Sequence, residues 1–486
     1  MSGFPDYDKY DAVGLANLVR AKQVSAIELL EEAIARVQRV NPQLNALVCE
    51  RFEQARADAK AGLPDGLFSG VPLLVKDLGP RLAGVPLTRG SRYFRDYVPQ
   101  ENDQFFARVK GAGFNIFGKT STPEFGLLPF TEPRLFGPCR NPWDPQRTPG
   151  GSSGGSAALT AAGAVPMAHG NDMGGSIRIP ASCTGLFGLK PGRGRVPRAG
   201  SPAGDMNADL AISRSVRDSA ALLDVVAQLK PERSYREETR RDPGRLRIAL
   251  VTGTMLGKAI DPSCRAAAEE AAKLCERLGH SVEIAEPCEV DYRAAALAVL
   301  LLFACNVGWT MREGNPLKKK LRAGDLEPAT WAMLVIAQVI SADDLTAALQ
   351  TQVDVSERFD AFMERYDVML MPTLAAPPVR IGELALKKSE TAQIEILGRL
   401  RSGPLIRKAA QTIAESLFDW LPSTPLFNLT GQPAMSVPLY WTQDDLPIGL
   451  QFAARAGGED VLYRLAAQLE AAQPWFTRRP PIFAGG

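Results

Sequence analysis

Two glycine-rich segments place serines where one of them could act as a nucleophile. Residues 150–155 read Gly-Gly-Ser-Ser-Gly-Gly, and residues 171–180 read Asn-Asp-Met-Gly-Gly-Ser-Ile-Arg-Ile-Pro. The first alone is also typical of a flexible turn. However, each segment leads into a predicted helix, where N–H groups free of side chains can point at a developing negative charge. This chemistry suits acyl transfer, with Ser176 as the natural nucleophile.

The base for such a serine has few candidates, because the chain contains only two histidines, His169 and His280. Lys76 follows the apolar run Val71–Val75, which predicts a short buried strand. Burial there would lower the pKa of the lysine and leave a neutral amine that can accept a proton. A lysine at a strand end can equally extend into solvent, so the position alone leaves both interpretations open.

The overall composition excludes several classes of function. The 486 residues include 56 Lys and Arg against 54 Asp and Glu, a net charge of +2 that gives no reason to expect nucleic acid or an anionic membrane as partner. The scarcity of histidine and the seven scattered cysteines predict no metal site, and we expect no cofactor. Reduced cysteines and the lack of a signal peptide favour a cytoplasmic protein.

Predicted strands alternate with predicted helices, which indicates an α/β sheet covered by helices on both faces. A capping box at Ser25 starts a helix that we expect to stop at Asn41-Pro42. A helix of small residues is predicted over Ser156–Ala162, and a loop over Pro191–Asp209. The longest apolar run, Ala294–Cys305, is too short for a membrane span and predicts a buried core helix.

Three segments together resemble the amidase signature family and its Ser–cisSer–Lys triad. They are Val-Pro-Leu-Leu-Val-Lys-Asp around Lys76, Gly-Gly-Ser-Ser-Gly-Gly-Ser around Ser152 and Asn-Asp-Met-Gly-Gly-Ser-Ile-Arg-Ile-Pro around Ser176. The 24-residue spacing of the two serines matches, as does the continuation Ala181–Pro191. The resemblance implies one large α/β/α domain over residues 1–486 with a mixed central sheet. It also implies a signature core near 70–200 and a helical, pocket-forming region near 290–366.

The resemblance also implies roles for individual residues. Neutral Lys76 accepts a proton through Ser152, whose peptide bond to Gly151 is expected to be cis, and Ser152 deprotonates Ser176. Ser176 then attacks the amide carbonyl and forms an acyl-enzyme. The expected oxyanion donors are the N–H groups of Met173, Gly174, Gly175 and Ser176. Asp172 and Arg178 are expected to brace this loop, Ser153 to support the relay, and His169 to pack against the oxyanion loop.

Further segments resemble family members that hydrolyse 6-aminohexanoate oligomers. These segments include Ala168–Asp172, Arg214–Asp218, Ala220–Val226 and Phe427–Pro433. In those enzymes a pocket cysteine is followed by an acidic residue, at the position where this chain has Cys305 and then Asn306. The asparagine is a departure, and Cys305 is alternatively a small buried apolar residue.

Three functions remain to be distinguished. The first is hydrolysis of a small-molecule amide, such as a cyclic or linear oligomer, an aryl amide or a carbamate. The second is the glutaminase subunit of a transfer-RNA-dependent amidotransferase, which is disfavoured by Ile179 before Pro180 and by a segment after Pro191 that lacks tyrosine. The third, an inactive binding subunit, is disfavoured because Lys76, Ser152 and Ser176 are all present. The resemblance also makes a homodimer an expectation.

Overall fold

The computed structural model describes residues 4–198, 204–227, 234–253, 256, 258–322, 324–400, 402–416 and 418–485. Within these residues, eleven strands form one mixed sheet, in the order β1-β3-β2-β4-β6-β5-β10-β11-β9-β7-β8. The strands are β1 Leu47–Glu50, β2 Pro72–Lys76, β3 Asn115–Thr120, β4 Met167–Asp172, β5 Phe187–Lys190, β6 Ala208–Ser213, β7 Arg247–Leu250, β8 Ser281–Ile284, β9 Val368–Pro372, β10 Ala434–Trp441 and β11 Pro447–Ala454.

Helices connect these strands, together with two short 3₁₀ turns at Tyr7–Lys9 and Glu124–Gly126. The helices are α1 Ala12–Arg20, α2 Ala26–Leu44, α3 Phe52–Ala61, α4 Gln104–Gly111, α5 Gly154–Ala161, α6 Arg178–Thr184, α7 Val216–Val226, α8 Tyr235–Glu238, α9 Pro262–Arg277, α10 Tyr292–Met311, α11 Pro328–Ala337, α12 Ala342–Phe362, α13 Lys388–Leu400, α14 Gly403–Ser416, α15 Thr424–Thr430 and α16 Glu459–Ala472. The predicted α/β class with a mixed sheet and covering helices is confirmed.

The sheet contains two groups of parallel strands, one of which carries Lys76, and antiparallel pairs between and beside them. Strand β2 pairs in parallel with both β3 and β4, and β7 pairs in parallel with β8 and β9. The remaining neighbours are antiparallel, namely β1 with β3 and the run from β4 through β6, β5, β10 and β11 to β9. Every residue of β2 and β4 is buried, as expected for strands covered on both faces.

Buried apolar side chains of the described residues form three clusters, and the two larger ones lie around the sheet. The first, which we call the main core, contains Leu73 and Val75 of β2 and Ala157–Leu159 of α5. The second, the helical-layer core, is formed mainly by α10, α11, α12, α14 and α15, and it includes Leu302 and Phe427. The candidate residues therefore lie where a rigid sheet region meets a separate helical layer.

Two predicted element boundaries differ from the structure. The capping box of α2 is present, because Ser25 and Glu28 bond reciprocally, but the helix continues through Pro42 to Leu44. Asn45 then takes a left-handed conformation and its N–H donates to the carbonyl of Asn41, which closes the last turn. The predicted loop Pro191–Asp209 includes residues 199–203, which lie outside the described part, and its end belongs to β6, which starts at Ala208.

Helix α10 is longer than its apolar run suggests. Its 20 residues would allow it to cross a membrane by length and composition, so the expectation that this segment is too short is wrong. Half of its most apolar stretch is buried, and the helix packs against α11, α12 and α14. An apolar helix of this kind is also common in the core of soluble proteins.

Candidate active site

Lys76 lies at the carboxyl end of β2, beside the carboxyl end of β4. The two strands are parallel neighbours, with Leu74 opposite Ala168. Parallel strands bring their carboxyl ends to the same edge of a sheet, and ligand sites commonly lie there. The chain therefore places Lys76 next to Asn171 and Asp172, the last two residues of β4.

The Lys76 side chain is completely enclosed, and among the described residues it bonds only to neutral partners. Its Nζ donates to Ser152 Oγ at 2.7 Å and to Asn171 Oδ1 at 2.6 Å. Burial lowers the pKa of Lys76 to about 7, although the charges of Asp172 and Asp209 act in the opposite direction. Near neutral pH a large fraction of this lysine is an uncharged amine, which can accept a proton.

Ser152 belongs to the loop that enters α5. Its peptide bond to Gly151 is cis, as the resemblance implies. The loop fits closely against its surroundings, since a Cβ built on Gly151 would lie 2.7 Å from the backbone nitrogen of Phe130. Ser153 Oγ donates to the carbonyl of Asn171 at 3.3 Å, which links this loop to β4. All residues of α5 are buried, so the Ser152 loop rests on an enclosed helix.

The loop that carries Ser176 is held by an ion pair between Asp172 and Arg178. Arg178 Nη2 lies 3.0 Å from Asp172 Oδ1, and both side chains are fully buried. Burial acts to raise the pKa of Asp172, but Arg178 outweighs it and lowers the value to about 2. The carboxylate remains charged and also accepts the N–H of Ile177 at 3.1 Å. This arrangement is the brace that the sequence led us to expect.

Two side chains from the carboxyl-terminal part complete this brace, and the sequence analysis did not identify them. Arg178 donates to Gln451 Oε1 at 2.7 Å and to Asn428 Oδ1 at 2.6 Å. Asn428 Nδ2 in turn donates to the carbonyl of Asp172 at 2.9 Å. Asn171, which holds Lys76, was missed as well. All three are buried polar residues, and their burial cannot be read from the sequence.

The expected set of oxyanion donors is corrected at one position. The N–H of Gly175 donates to Asp172 Oδ1 at 2.7 Å, so this donor is already engaged in bracing the loop. In the described part of the chain, the N–H groups of Met173, Gly174 and Ser176 have no protein acceptor. Three of the four expected donors are thus available to a ligand.

Ser176 is mostly buried, with 9% of its surface exposed. Among the hydrogen bonds of the described residues, none joins Ser176 Oγ to Ser152. The structure thus brings Lys76 and Ser152 into direct contact, while the second contact of the expected relay is not formed. Catalytic hydrogen bonds are often long in ligand-free enzymes and tighten when the substrate binds.

His169 does not support the oxyanion loop as expected. Its Nδ1 accepts the backbone N–H of Lys76 at 3.3 Å, so the ring proton is on Nε2, which lies 3.4 Å from Asp209 Oδ1. Burial lowers the pKa of His169 and keeps the ring neutral. His169 therefore binds the backbone at the end of β2, and its ring packs between Phe105 and Phe106.

The tentative pocket residues Cys305 and Asn306 lie on α10. Cys305 is half-buried and packs on the helical-layer core, and burial raises the pKa of its thiol. Asn306 Nδ2 donates to the carbonyl of Leu302 at 2.8 Å. The α10 residue that meets the Ser176 loop is Phe303, because a Cβ built on Gly174 would lie 3.1 Å from its ring. No local sequence pattern marks Phe303.

No group of three or more His, Cys, Asp or Glu side chains among the described residues could hold a metal ion. All seven cysteines are unpaired.

Comparisons with known proteins agree with this geometry. The profile of the family described as Amidase matches residues 28–462. The chain is 38% identical to the 6-aminohexanoate-cyclic-dimer hydrolase of Pseudomonas sp. (strain NK87), over 97% of this chain and 96% of that protein. The solved structure of a 6-aminohexanoate cyclic dimer hydrolase complexed with substrate is similar with a TM-score of 0.86 and 36% identity, covering 98% of this chain and 99% of that one.

A second solved structure extends the comparison within the same family. A bacterial aryl acylamidase of the amidase signature enzymes is similar with a TM-score of 0.83 and 26% identity, covering 97% of this chain and 98% of that one. The resemblance seen in the sequence is thus confirmed over nearly the whole chain. The chain belongs to the amidase signature family and is an amide hydrolase that acts on carbon–nitrogen bonds.

Proposed function

We propose that this enzyme hydrolyses small or oligomeric amides through an acyl-enzyme on Ser176, with Lys76 and Ser152 as the proton relay. The observation that carries the proposal is the enclosed Lys76 amine, 2.7 Å from Ser152 Oγ and without a carboxylate in contact among the described residues. An amine with a pKa of about 7 is well suited to take up and return a proton near neutral pH.

In the first half of the reaction, Ser152 transfers its proton to neutral Lys76 as it takes the proton of Ser176. The Ser176 side chain turns towards Ser152 for this step, and its oxygen attacks the amide carbonyl carbon. The N–H groups of Met173, Gly174 and Ser176 receive the negative charge that forms on the carbonyl oxygen. The amine leaves with a proton returned from Lys76 through Ser152, and an ester to Ser176 remains.

In the second half, water attacks the ester carbonyl carbon and loses a proton to the same relay. The bond to Ser176 breaks, Ser176 regains its proton through Ser152, and the carboxylic acid product leaves. The Asp172–Arg178 brace holds the donors at a constant position in both halves. It takes no proton itself, because the low pKa of Asp172 keeps its carboxylate charged.

For the substrate we propose oligomers of 6-aminohexanoate, cyclic or linear. The support is the similarity to 6-aminohexanoate-cyclic-dimer hydrolases over nearly the full length of both chains. The position of Asn306, where an acidic residue was expected, argues that the preferred oligomer differs from theirs. An aryl amide is the second candidate, because the aryl acylamidase structure is also similar over almost the whole chain.

The proposal is tested with one substrate panel and one pair of variants. The panel contains cyclic and linear 6-aminohexanoate dimers, an aryl amide, a carbamate and free glutamine. We expect the dimers to be cleaved fastest, and Ser176→Ala to abolish cleavage while the fold is retained. Ser182→Ala, a buried serine on α6 that is not in the relay, is the matched control. Full turnover in Ser176→Ala, or glutamine as the single good substrate, would contradict the proposal.

A further inference from the structure

Arg89 and Phe125 form an unusual pair beside the relay. Both have left-handed backbone conformations, with φ of +56° and +53°, which side chains of this size rarely adopt. The N–H of Phe125 donates to the carbonyl of Arg89 at 2.8 Å, and the N–H of Arg89 donates to the carbonyl of Asp77 at 3.1 Å. The backbone thus fixes Arg89 directly beside the residue that follows Lys76. Conformations of this kind are often retained at binding sites.

The guanidinium of Arg89 is placed between aromatic rings. Its central carbon lies 4.8 Å from the ring centroid of Phe94 and 6.0 Å from that of Phe125. These contacts fix the plane of the group but satisfy none of its N–H donors. Burial lowers the pKa of Arg89 to about 10, so the group is still charged near neutral pH.

No oxygen atom of the described residues accepts a hydrogen bond from this guanidinium or pairs with it. The nearby carboxylate of Asp77 is engaged elsewhere, because Lys119 Nζ lies 2.6 Å from its Oδ1 and the N–H of Thr88 donates to the same oxygen. Arg89 is only half-buried and its guanidinium nitrogens are not among the buried unpartnered atoms, so these unused donors remain available to a ligand.

The guanidinium is connected to the reaction centre through Phe125. The next residue, Gly126, approaches the relay so closely that a Cβ built on it would lie 2.9 Å from Ser152 Oγ. Phe125 is also among the partly buried apolar side chains on the helical-layer core, as are Met173 and Phe303 at the Ser176 loop. Arg89, Phe125 and Gly126 therefore form a wall that extends from Ser152 towards the helical-layer core.

Exposed lysines lie near this wall. Lys319 Nζ lies 5.6 Å from the ring centroid of Tyr93, which packs edge-on against Phe94. Lys319 is one of three consecutive exposed lysines, Lys318–Lys320. Positively charged side chains near a binding site raise the local concentration of anions.

We propose that Arg89 binds the free carboxylate of the substrate, and that the enzyme selects amides whose flexible chain ends in a carboxylate. The inference rests on the proposed function and narrows its substrate class. Linear ω-aminoalkanoate amides are preferred over cyclic ones. A guanidinium donates two parallel hydrogen bonds to a carboxylate, and the rings of Phe94 and Phe125 pack against it on the protein side.

The first test compares substrate pairs that differ only at the chain end. Each pair is an N-acyl ω-amino acid and the corresponding N-acyl ω-amino alcohol, with three to seven methylene groups in the chain. We expect kcat/KM to favour the carboxylate by tenfold or more at one chain length, because charge-assisted hydrogen bonds are strong. A ratio near one at every length would overturn the inference.

The second test measures the same ratio in variants. Arg89→Met is expected to reduce it at least tenfold, and Arg89→Lys to retain part of it, because lysine keeps the charge but not the paired geometry. Arg95→Met, an exposed arginine six residues further along, is the matched control and should keep the wild-type ratio. An unchanged ratio in a folded Arg89→Met protein would contradict the inference.

A binding measurement separates this inference from the proposed function. Calorimetry with 6-acetamidohexanoate is carried out on Ser176→Ala, with and without Arg89→Met. Loss of affinity in the double variant supports the carboxylate site even if the hydrolytic mechanism proves wrong. Equal affinity in the two proteins would overturn the carboxylate site even if hydrolysis depends on Ser176.

Discussion

Asn171 Oδ1 lies 2.6 Å from Lys76 Nζ, at the carboxyl ends of two parallel neighbouring strands. The amide accepts a hydrogen bond from the lysine without adding a negative charge. A carboxylate at this position would stabilise the protonated lysine and prevent it from acting as a base. The neutral side chain thus orients Lys76 while burial keeps its pKa low.

Asn171→Asp is expected to move the pH profile of activity to higher values. The added carboxylate raises the pKa of Lys76 above about 7, so the neutral amine forms only at higher pH. We expect the rising limb of kcat/KM to shift upward by about one to three pH units. Asn171→Ala should lower kcat without such a shift, and an unshifted limb in Asn171→Asp would argue against Lys76 as the base.

Lys76→Met is expected to reduce amide hydrolysis by about two to four orders of magnitude. It should also change how stability depends on pH. The pKa of Lys76 is about 7 in the folded chain and 10.5 in the unfolded chain, so the unfolded state binds more protons between these values. In wild type this site makes stability rise with pH in that range, by up to about 1.4 kcal/mol per pH unit.

Chemical unfolding of wild type and Lys76→Met at pH 7, 8 and 9 measures this difference directly. The stability curve of the variant should rise less steeply than that of wild type. Lys110→Met, which removes an exposed lysine, should leave the slope unchanged. Lys190 is also buried with a pKa lowered to about 7, but it contributes equally to all three proteins. Identical slopes for Lys76→Met and wild type would mean that Lys76 is not buried as a neutral amine.

Arg178→Met is expected to destabilise the chain by about 3–5 kcal/mol, because it leaves the buried Asp172 carboxylate without its charged partner. Gln451 and Asn428 lose a donor at the same time. The exposed pair Arg81–Asp103 provides the control, and Arg81→Met should cost about 1 kcal/mol or less. Equal losses in the two variants, measured by denaturant unfolding, would show that Arg178 does not support the loop.

Gly175→Ala tests the geometry of the Ser176 loop. Gly175 has φ of +124°, and a Cβ there would lie 2.6 Å from Thr424 Oγ1 and 2.7 Å from Ile179 Cδ1. We expect hydrolysis to fall at least a hundredfold and stability to fall as well. Gly62→Ala is the control, since its φ is +96° but the space around it is empty, so it should cost only about 1–2 kcal/mol and leave kcat unchanged. Normal activity in Gly175→Ala would show that the loop can rearrange freely.

Lys76 and Ser176 could be singled out as candidates from their local sequence, whereas Ser152 and the Asp172–Arg178 brace were expected because of the family resemblance. Lysine after an apolar strand and serine among glycines are visible locally. The partners of the brace were not predictable, since Asn428 and Gln451 come from more than 240 residues away along the chain. Their role depends on which strands and helices become neighbours.

Local patterns also failed where burial is complete. Strand β4 has no alternation of apolar and polar residues, because each of its six residues is buried, including His169 and Asp172. Helix α2 extends past Pro42 because Asn41 and Asn45 supply the hydrogen bonds that close its final turn. In β4 tertiary burial outweighs the local signal, and in α2 the hydrogen bonds at the helix end outweigh the effect of the proline.

The division into a main core and a helical-layer core has a consequence for how this enzyme can change. Lys76 ends β2 and Ser152 precedes α5, and both elements pack within the main core. Phe303 and Cys305, in contrast, belong to α10 and pack on the helical-layer core. Under the proposed function, mutations within α10 are therefore expected to change the side chains that face the substrate without displacing Lys76 or Ser152. Changes in the helical-layer core are thus expected to alter the substrate range, while the main core keeps the reaction chemistry unchanged. Directed evolution of this enzyme should therefore concentrate its libraries on α10 and α11.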